Sequence, residues 1–169
     1  TTLGRKFKIR LVERKPILRF FTQTGQTFYI DDEMVIFPTH MDYVARVMVA
    51  NGNIPSVPVQ DHQALPLQQL MNRKHMVIPV AVVAKAIQKD KLLNVLIDQL
   101  FVTDDSLIEL SPKIGNAPVI LGDTSHLQEK IGAVSAFFRT QSDNPELSRY
   151  QSINASFRNQ IVCTKNDTL

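Results

Sequence analysis

One cysteine, no tryptophan, six glycines and no long apolar run set the first limits on this 169-residue chain. A lone Cys163 excludes an intrachain disulfide and any zinc site built on several cysteines, and it leaves the redox compartment open. A membrane-spanning helix needs roughly 20 consecutive apolar residues, and no run approaches that length. No basic segment followed by an apolar one marks a secretion signal, and the chain opens Thr1-Thr2-Leu3 without Met, as an excised piece of something longer would. Internal repeats and low-complexity tracts are also lacking, which argues against solenoids and disordered linkers.

What is present suffices for a core. Apolar residues make up 44% and charged residues 21% of the chain, so enough apolar surface is available to offset the ordering entropy of one compact domain. The net charge of +3 is unevenly spread: Arg5, Lys6, Lys8, Arg10, Arg14, Lys15 and Arg19 crowd the N-terminal stretch with only Glu13 opposing them. Such a cluster suits an anionic partner. In Lys6-Phe7-Lys8-Ile9-Arg10-Leu11, however, charges alternate with apolar residues, the pattern of a half-buried strand with a solvated face. The aromatics therefore sit opposite the lysines, which is a poor arrangement for nucleic acid.

In chain order, Ile17–Phe21 and Thr27–Ile30 flank the turn residues Thr24-Gly25-Gln26 as a hairpin, and Met34–Phe37 follows as a third strand closed by Pro38. Residues 40 to 78 show no sustained period and read as mostly loop, with Asn51-Gly52-Asn53 as a turn. Pro79 then opens an amphipathic helix with Val80, Val83, Ala84 and Ile87 on one side, ending near Asp90. A meander follows, from strands at Asn94–Val102, Leu107–Leu110 and Pro118–Gly122. Ser125 and Gln128 are spaced as a capping box ahead of a second helix over 126 to 140. From Ser152 to Cys163, apolar odd positions alternate with polar even ones, so the chain is expected to end in one long half-buried strand. This order predicts an α+β fold: a mostly antiparallel β-sheet with two main helices on one face.

Chemistry is sparse. His40, His62, His75 and His126 are scattered without metal-ligand spacing. Asp31, Asp32 and Glu33 lack the spacing that wraps a hard cation and suit a charged turn. Gly115 and Gly122 fit neither phosphate-binding loop, and Cys163 falls on the apolar side of the last strand, where a packed thiol belongs. No catalytic, metal or cofactor site emerges. Binding of another chain through a sheet edge is the function that suits such a domain.

Four segments together resemble the cell division FtsQ/DivIB family. Glu13-Arg14-Lys15-Pro16-Ile17-Leu18-Arg19 is similar to the strand that ends its POTRA domain, and Phe28-Tyr29-Ile30-Asp31 to the strand that opens its β domain. Ile108–Asn116 with Val119–Asp123 resembles the strand pair ending in Leu-Gly before the second β-domain helix. Tyr150–Cys163 is similar to the terminal strand of the Bacteroidetes-type members and is the most specific of the four. One departure is that family members usually carry Gly after the Asp of the second segment, where this chain has Glu33 and Met34.

The resemblance implies residues 1–22 as residual POTRA strands, 23–165 as the β domain and 166–169 as a tail. It further implies a non-enzymatic divisome scaffold on the periplasmic side of the inner membrane at the septum, held by a transmembrane helix outside this chain. Its partners would be the periplasmic segments of FtsB and FtsL, and neither cofactor nor nucleic acid is implied. The edge that takes the partner maps onto Ser156, Phe157, Arg158, Asn159, Gln160, Ile161 and Val162, with Tyr150 beside it. An added strand there would place Arg158→Pro and Asn159→Pro on opposite hydrogen-bonding sides. An extracytoplasmic wall-binding or hydrolase domain using the basic N-terminal face is the alternative.

Overall fold

The computed structural model describes residues 13–40, 42–59, 63–73, 75–158 and 160–166. The alternating stretch at residues 6–11 lies outside them. Among the described residues ten strands form one sheet: β1 Pro16–Phe21, β2 Thr27–Asp31, β3 Val35–Pro38, β4 Met48–Gly52, β5 Leu65–Pro66, β6 Ile97–Val102, β7 Ile108–Pro112, β8 Val119–Gly122, β9 Tyr150–Asn154 and β10 Val162–Lys165. Their spatial order is β10-β9-β8-β7-β6-β4-β1-β2-β3-β5. The helices are α1 Val77–Lys89, α2 Leu93–Leu96 and α3 Leu127–Gln141, with 3-10 turns at Leu67–Arg73 and Pro145–Arg149.

The class is α+β as expected, but the sheet is mixed. β1 with β4, β4 with β6, and β8 with β9 run parallel, while the other six pairings are antiparallel. Parallel neighbours require a crossover: α1 lies in the connection from β4 to β6, α3 in that from β8 to β9, and strands β2 and β3 in that from β1 to β4. α1 packs on β1, β6 and α3.

The N-terminal hairpin and the meander form where their sequence patterns place them. Phe20 and Phe28 face each other across β1 and β2 with ring centroids 4.8 Å apart. β1 is hydrogen-bonded on both sides, by β2 and β4, and residue 22 lies at the turn between β1 and β2. Asp31 is buried, accepts from Val35 N–H at 2.8 Å and pairs with Arg14 at 2.5 Å. The charged turn is thus tied to the segment entering β1.

One expectation fails locally and two hold only in part. Residues 40 to 78 are largely irregular among the described residues, but β4 crosses the middle of the sheet within them; a short strand with neighbours on both sides has no need of strict alternation. The turn expected at Asn51-Gly52-Asn53 falls at the very end of that strand: Asn51 and Gly52 are paired to Phe101 and Val102, and the chain turns directly after them, with Ile54 N–H donating to Gly52 C=O at 2.8 Å. Residues 94–96 are helical rather than extended, since the Asp90 carboxylate accepts from Leu92 N–H at 2.9 Å and Leu93 N–H at 3.0 Å and caps a short turn.

Helix α1 contains four valines, a composition with poor intrinsic helix propensity. Burial overrides it: Val77, Val80, Val83 and Ile87 are fully enclosed. The capping box at Ser125 does not form, because that hydroxyl donates to Asp123 at 2.5 Å and the cap position is His126 in a left-handed conformation.

Met34 holds φ 62°, the conformation glycine favours, at the position where the family pattern departs. Relief of that strain in Met34→Gly is worth about 1 kcal/mol, and loss of the partly buried side chain costs a similar amount. The expected result is a urea midpoint within about 1 kcal/mol of the parent; a loss well above that would show that the side chain, not the turn, decides the position.

Candidate functional site

Asn154 decides the geometry of the C-terminal edge. Its side-chain oxygen accepts from Ser156 N–H at 2.9 Å and from the Ser156 hydroxyl at 2.6 Å, a local turn that competes with continuation of the strand. The single long strand expected over 152 to 163 is therefore broken. β9 ends at Asn154, and β10 returns antiparallel with Val162 opposite Asn154, Cys163 opposite Ile153 and Thr164 opposite Ser152.

Of the residues mapped to the edge, Tyr150 opens β9 opposite Lys165, and only Val162 lies in the outermost strand. Ser156, Phe157, Arg158, Gln160 and Ile161 belong to the connection, and Asn159 is outside the described residues. Phe157 is 48% exposed, so the odd–even alternation does not mark a strand face there. Arg158→Pro does not probe a ladder bond, because Arg158 is in no ladder.

The outward groups of β10 follow from register. Ile153 and Ala155 donate to Pro118 and Ile120 on the β8 side. The intervening Ser152 and Asn154 therefore face β10 and exchange bonds with Thr164 and Val162. The Cys163 N–H and C=O then point away from β9, with no further strand beyond β10 among the described residues. The side chain of Cys163 is half-buried against the core, and burial pushes its thiol above the ordinary range, so it stays protonated near neutral pH.

The far end of β10 is pinned, since Glu146 receives Lys165 Nζ at 3.0 Å and Arg149 at 2.8 Å. The opposite sheet edge is different: β5 has two residues, one of them Pro66. Short strands with proline are poor templates for pairing.

Beside β10 lies a groove of about 560 Å³ between α3 and the β9–β10 connection. Ala133, Ala136 and Phe137 floor it, and Phe157, Arg158 and Ile161 form the other wall. Arg158 approaches Glu129 at 3.7 Å, an exposed pair worth little. Sequence reasoning identified only the core stripe of this helix. Ala133, Ala136, Phe137 and Thr140 keep a second i, i+3, i+4, i+7 spacing that marks the groove side.

The basic N-terminal face is partly engaged. Arg14 is paired with Asp31 and lies 3.4 Å from Glu33, and the Arg19 guanidinium stacks on aromatic rings. Among the described residues, no three of His, Cys, Asp and Glu converge as metal ligands, and no helix is long and apolar enough to cross a membrane.

Fold and edge together define an α+β domain on one mixed sheet, with a terminal strand open to pairing on its outer side. The model of the family described as FtsQ/DivIB, C-terminal related, matches residues 15–164. The chain belongs to this family of cell division proteins, whose members are of the non-enzymatic scaffold type. No curated protein sequence matches the chain.

Proposed function

We propose that this domain is a division-complex scaffold that recruits its partner by strand addition along β10. The observation that carries this reading is the outward N–H and C=O of Cys163 on the last strand of the sheet. Main-chain bonds there supply general affinity, and side chains on alternate positions select the partner. The partner is the periplasmic FtsB–FtsL pair, as the family resemblance implies. The domain then acts on the periplasmic side of the inner membrane at the septum, tethered by a single-pass helix outside residues 1–169. Phe157, Arg158, Gln160 and Ile161 flank the added strand, and no catalytic step is assigned to the domain.

Calorimetric titration with the periplasmic FtsB–FtsL segments tests this. Cys163→Pro removes the outward donor and is expected to remain folded while weakening binding at least about ten-fold, or about 1.4 kcal/mol. Cys163→Ala controls for the side chain and should bind as the parent does. Thr164→Pro removes an inward donor instead, so its expected effect is loss of the β9–β10 hairpin with a lower thermal midpoint. Undiminished binding by folded Cys163→Pro would refute strand addition at β10, and absence of binding by the parent would refute recruitment itself.

A further inference from the structure

The face of the sheet opposite Phe20, Ala50 and Leu100 carries a second polar and aromatic constellation, on the three adjacent parallel strands β1, β4 and β6. Arg19, Val49 and Gln99 are in register across these strands. One step further toward their C-terminal ends, Asn51 is paired with Phe101, and Phe21 follows the last β1–β4 pair. Phe21 is 36% and Phe101 39% exposed, whereas Phe20, Ala50 and Leu100 on the other face are fully enclosed. With β4 between them, the two phenylalanines stand about 10 Å apart by strand spacing.

Arg19 is the unusual member. Its guanidinium lies 4.7 Å from the ring centre of Phe21 and 5.8 Å from that of Tyr29, and its Nε is buried without an acceptor. Every Asp and Glu that forms an ion pair among the described residues does so with another partner. A guanidinium fixed by stacking and lacking a counter-charge among the described residues is organised to take a carboxylate. Nearby, Gln99 Nε2 donates to Asn51 Oδ1 at 2.9 Å, which leaves the Gln99 oxygen and the Asn51 nitrogen as an acceptor and a donor. That pair matches one peptide group.

We propose that this face docks an extended, acidic segment of a partner polypeptide: its carboxylate on Arg19, apolar side chains on Phe21 and Phe101, and its backbone on the Asn51–Gln99 amides. In an extended segment of polyproline-II form, with three residues per turn, residues i and i+3 lie on one face about 9 Å apart, close to the separation of the two rings. Glu109, opposite Phe101 on β7, repels a polyanion and confines the acidic residue to the β1 side. A single guanidinium beside a carboxylate suits neither a nucleic acid nor an anionic wall polymer. Strands β7, β8 and β9 separate this face from β10, so it is independent of the edge described above.

A random dodecapeptide library displayed on phage, selected against the intact domain, tests the proposal; the enriched peptides are then synthesised and titrated. Enriched sequences are expected to carry Asp or Glu beside apolar residues and to bind less tightly as salt rises. Affinity should fall about ten-fold or more in Arg19→Gln and in Phe101→Asp, each checked for folding by near-UV circular dichroism, and should be unchanged in Cys163→Pro. Because Phe101 is exposed, its variant keeps the test decisive if Arg19→Gln fails to fold. Peptides without acidic enrichment, peptides that bind folded Arg19→Gln or Phe101→Asp undiminished, peptides lost in Cys163→Pro, or no enrichment at all would each overturn it.

Discussion

Gly52→Ala is expected to destabilise the domain by about 3–5 kcal/mol, a large share of the stability of a domain of this size. Two costs combine at this position. Gly52 has φ 93°, where an L side chain is strained. A Cβ there would also be driven into the backbone of Val102, whose nitrogen lies 2.9 Å from its position. Backbone cannot move aside as a flexible side chain does, so β4 and β6 must separate or the end of β4 must unpair. Asn53 N–H donates to Val102 C=O at 2.8 Å and is lost with it. Urea denaturation of purified Gly52→Ala, with Gly25→Ala as the comparison, checks this: Gly25 also has positive φ but meets nothing within 4 Å, so its loss should be about 1 kcal/mol. Equal losses at the two positions would show that conformation alone matters and that the close approach to β6 does not.

The second large effect is expected at the junction of β8 and α3. Lys130 is 6% exposed, and its Nζ donates at 2.9 Å both to the Asp123 carboxylate and to the Asp123 carbonyl. Removing one partner of a buried pair costs about 3–5 kcal/mol. Because the Asp123 side chain is 68% exposed, water takes part of its place, and Asp123→Ala should cost about 2 kcal/mol. The double variant Asp123→Ala with Lys130→Met should recover part of that loss, since the stranded charge is gone while the buried stem is kept. Hydrogen bonds from Ser125 and then Lys130 hold the Asp123 carboxyl at about 2, against desolvation, where 3.8 is its ordinary value. A pKa lower in the folded state stabilises fully above the unfolded value and is lost as pH falls toward the folded one. The stability gap between parent and Asp123→Asn should thus be widest above pH 4 and shrink toward pH 2. A gap independent of pH would show that the carboxylate charge contributes nothing. Helix α3 lines the groove beside β10, so the same pair sets that wall.

Much of this was legible in the residues. Phe28-Tyr29-Ile30 with Gly25 specifies a hairpin locally, and Leu127, Ile131, Val134 and Phe138 specify the core side of α3 by period alone. The candidate edge was legible in location but not in form. Alternation from Ser152 to Cys163 fits a strand, and nothing in that period reveals that the Asn154 side chain captures the Ser156 N–H and hydroxyl. Likewise Met48–Gly52 carries no distinctive period, because its place between β1 and β6 comes from two long-range parallel pairings.

By itself, then, the sequence determined what local periodicity and composition can carry: an α+β class, the hairpin, the meander, two amphipathic helices and a family resemblance concentrated in a few segments. The tertiary structure alone decided which strand became the edge, which backbone groups face outward and where Arg19 finds its rings. Those depend on pairings between residues far apart in the chain, and a one-residue change of register would invert every side chain and donor involved.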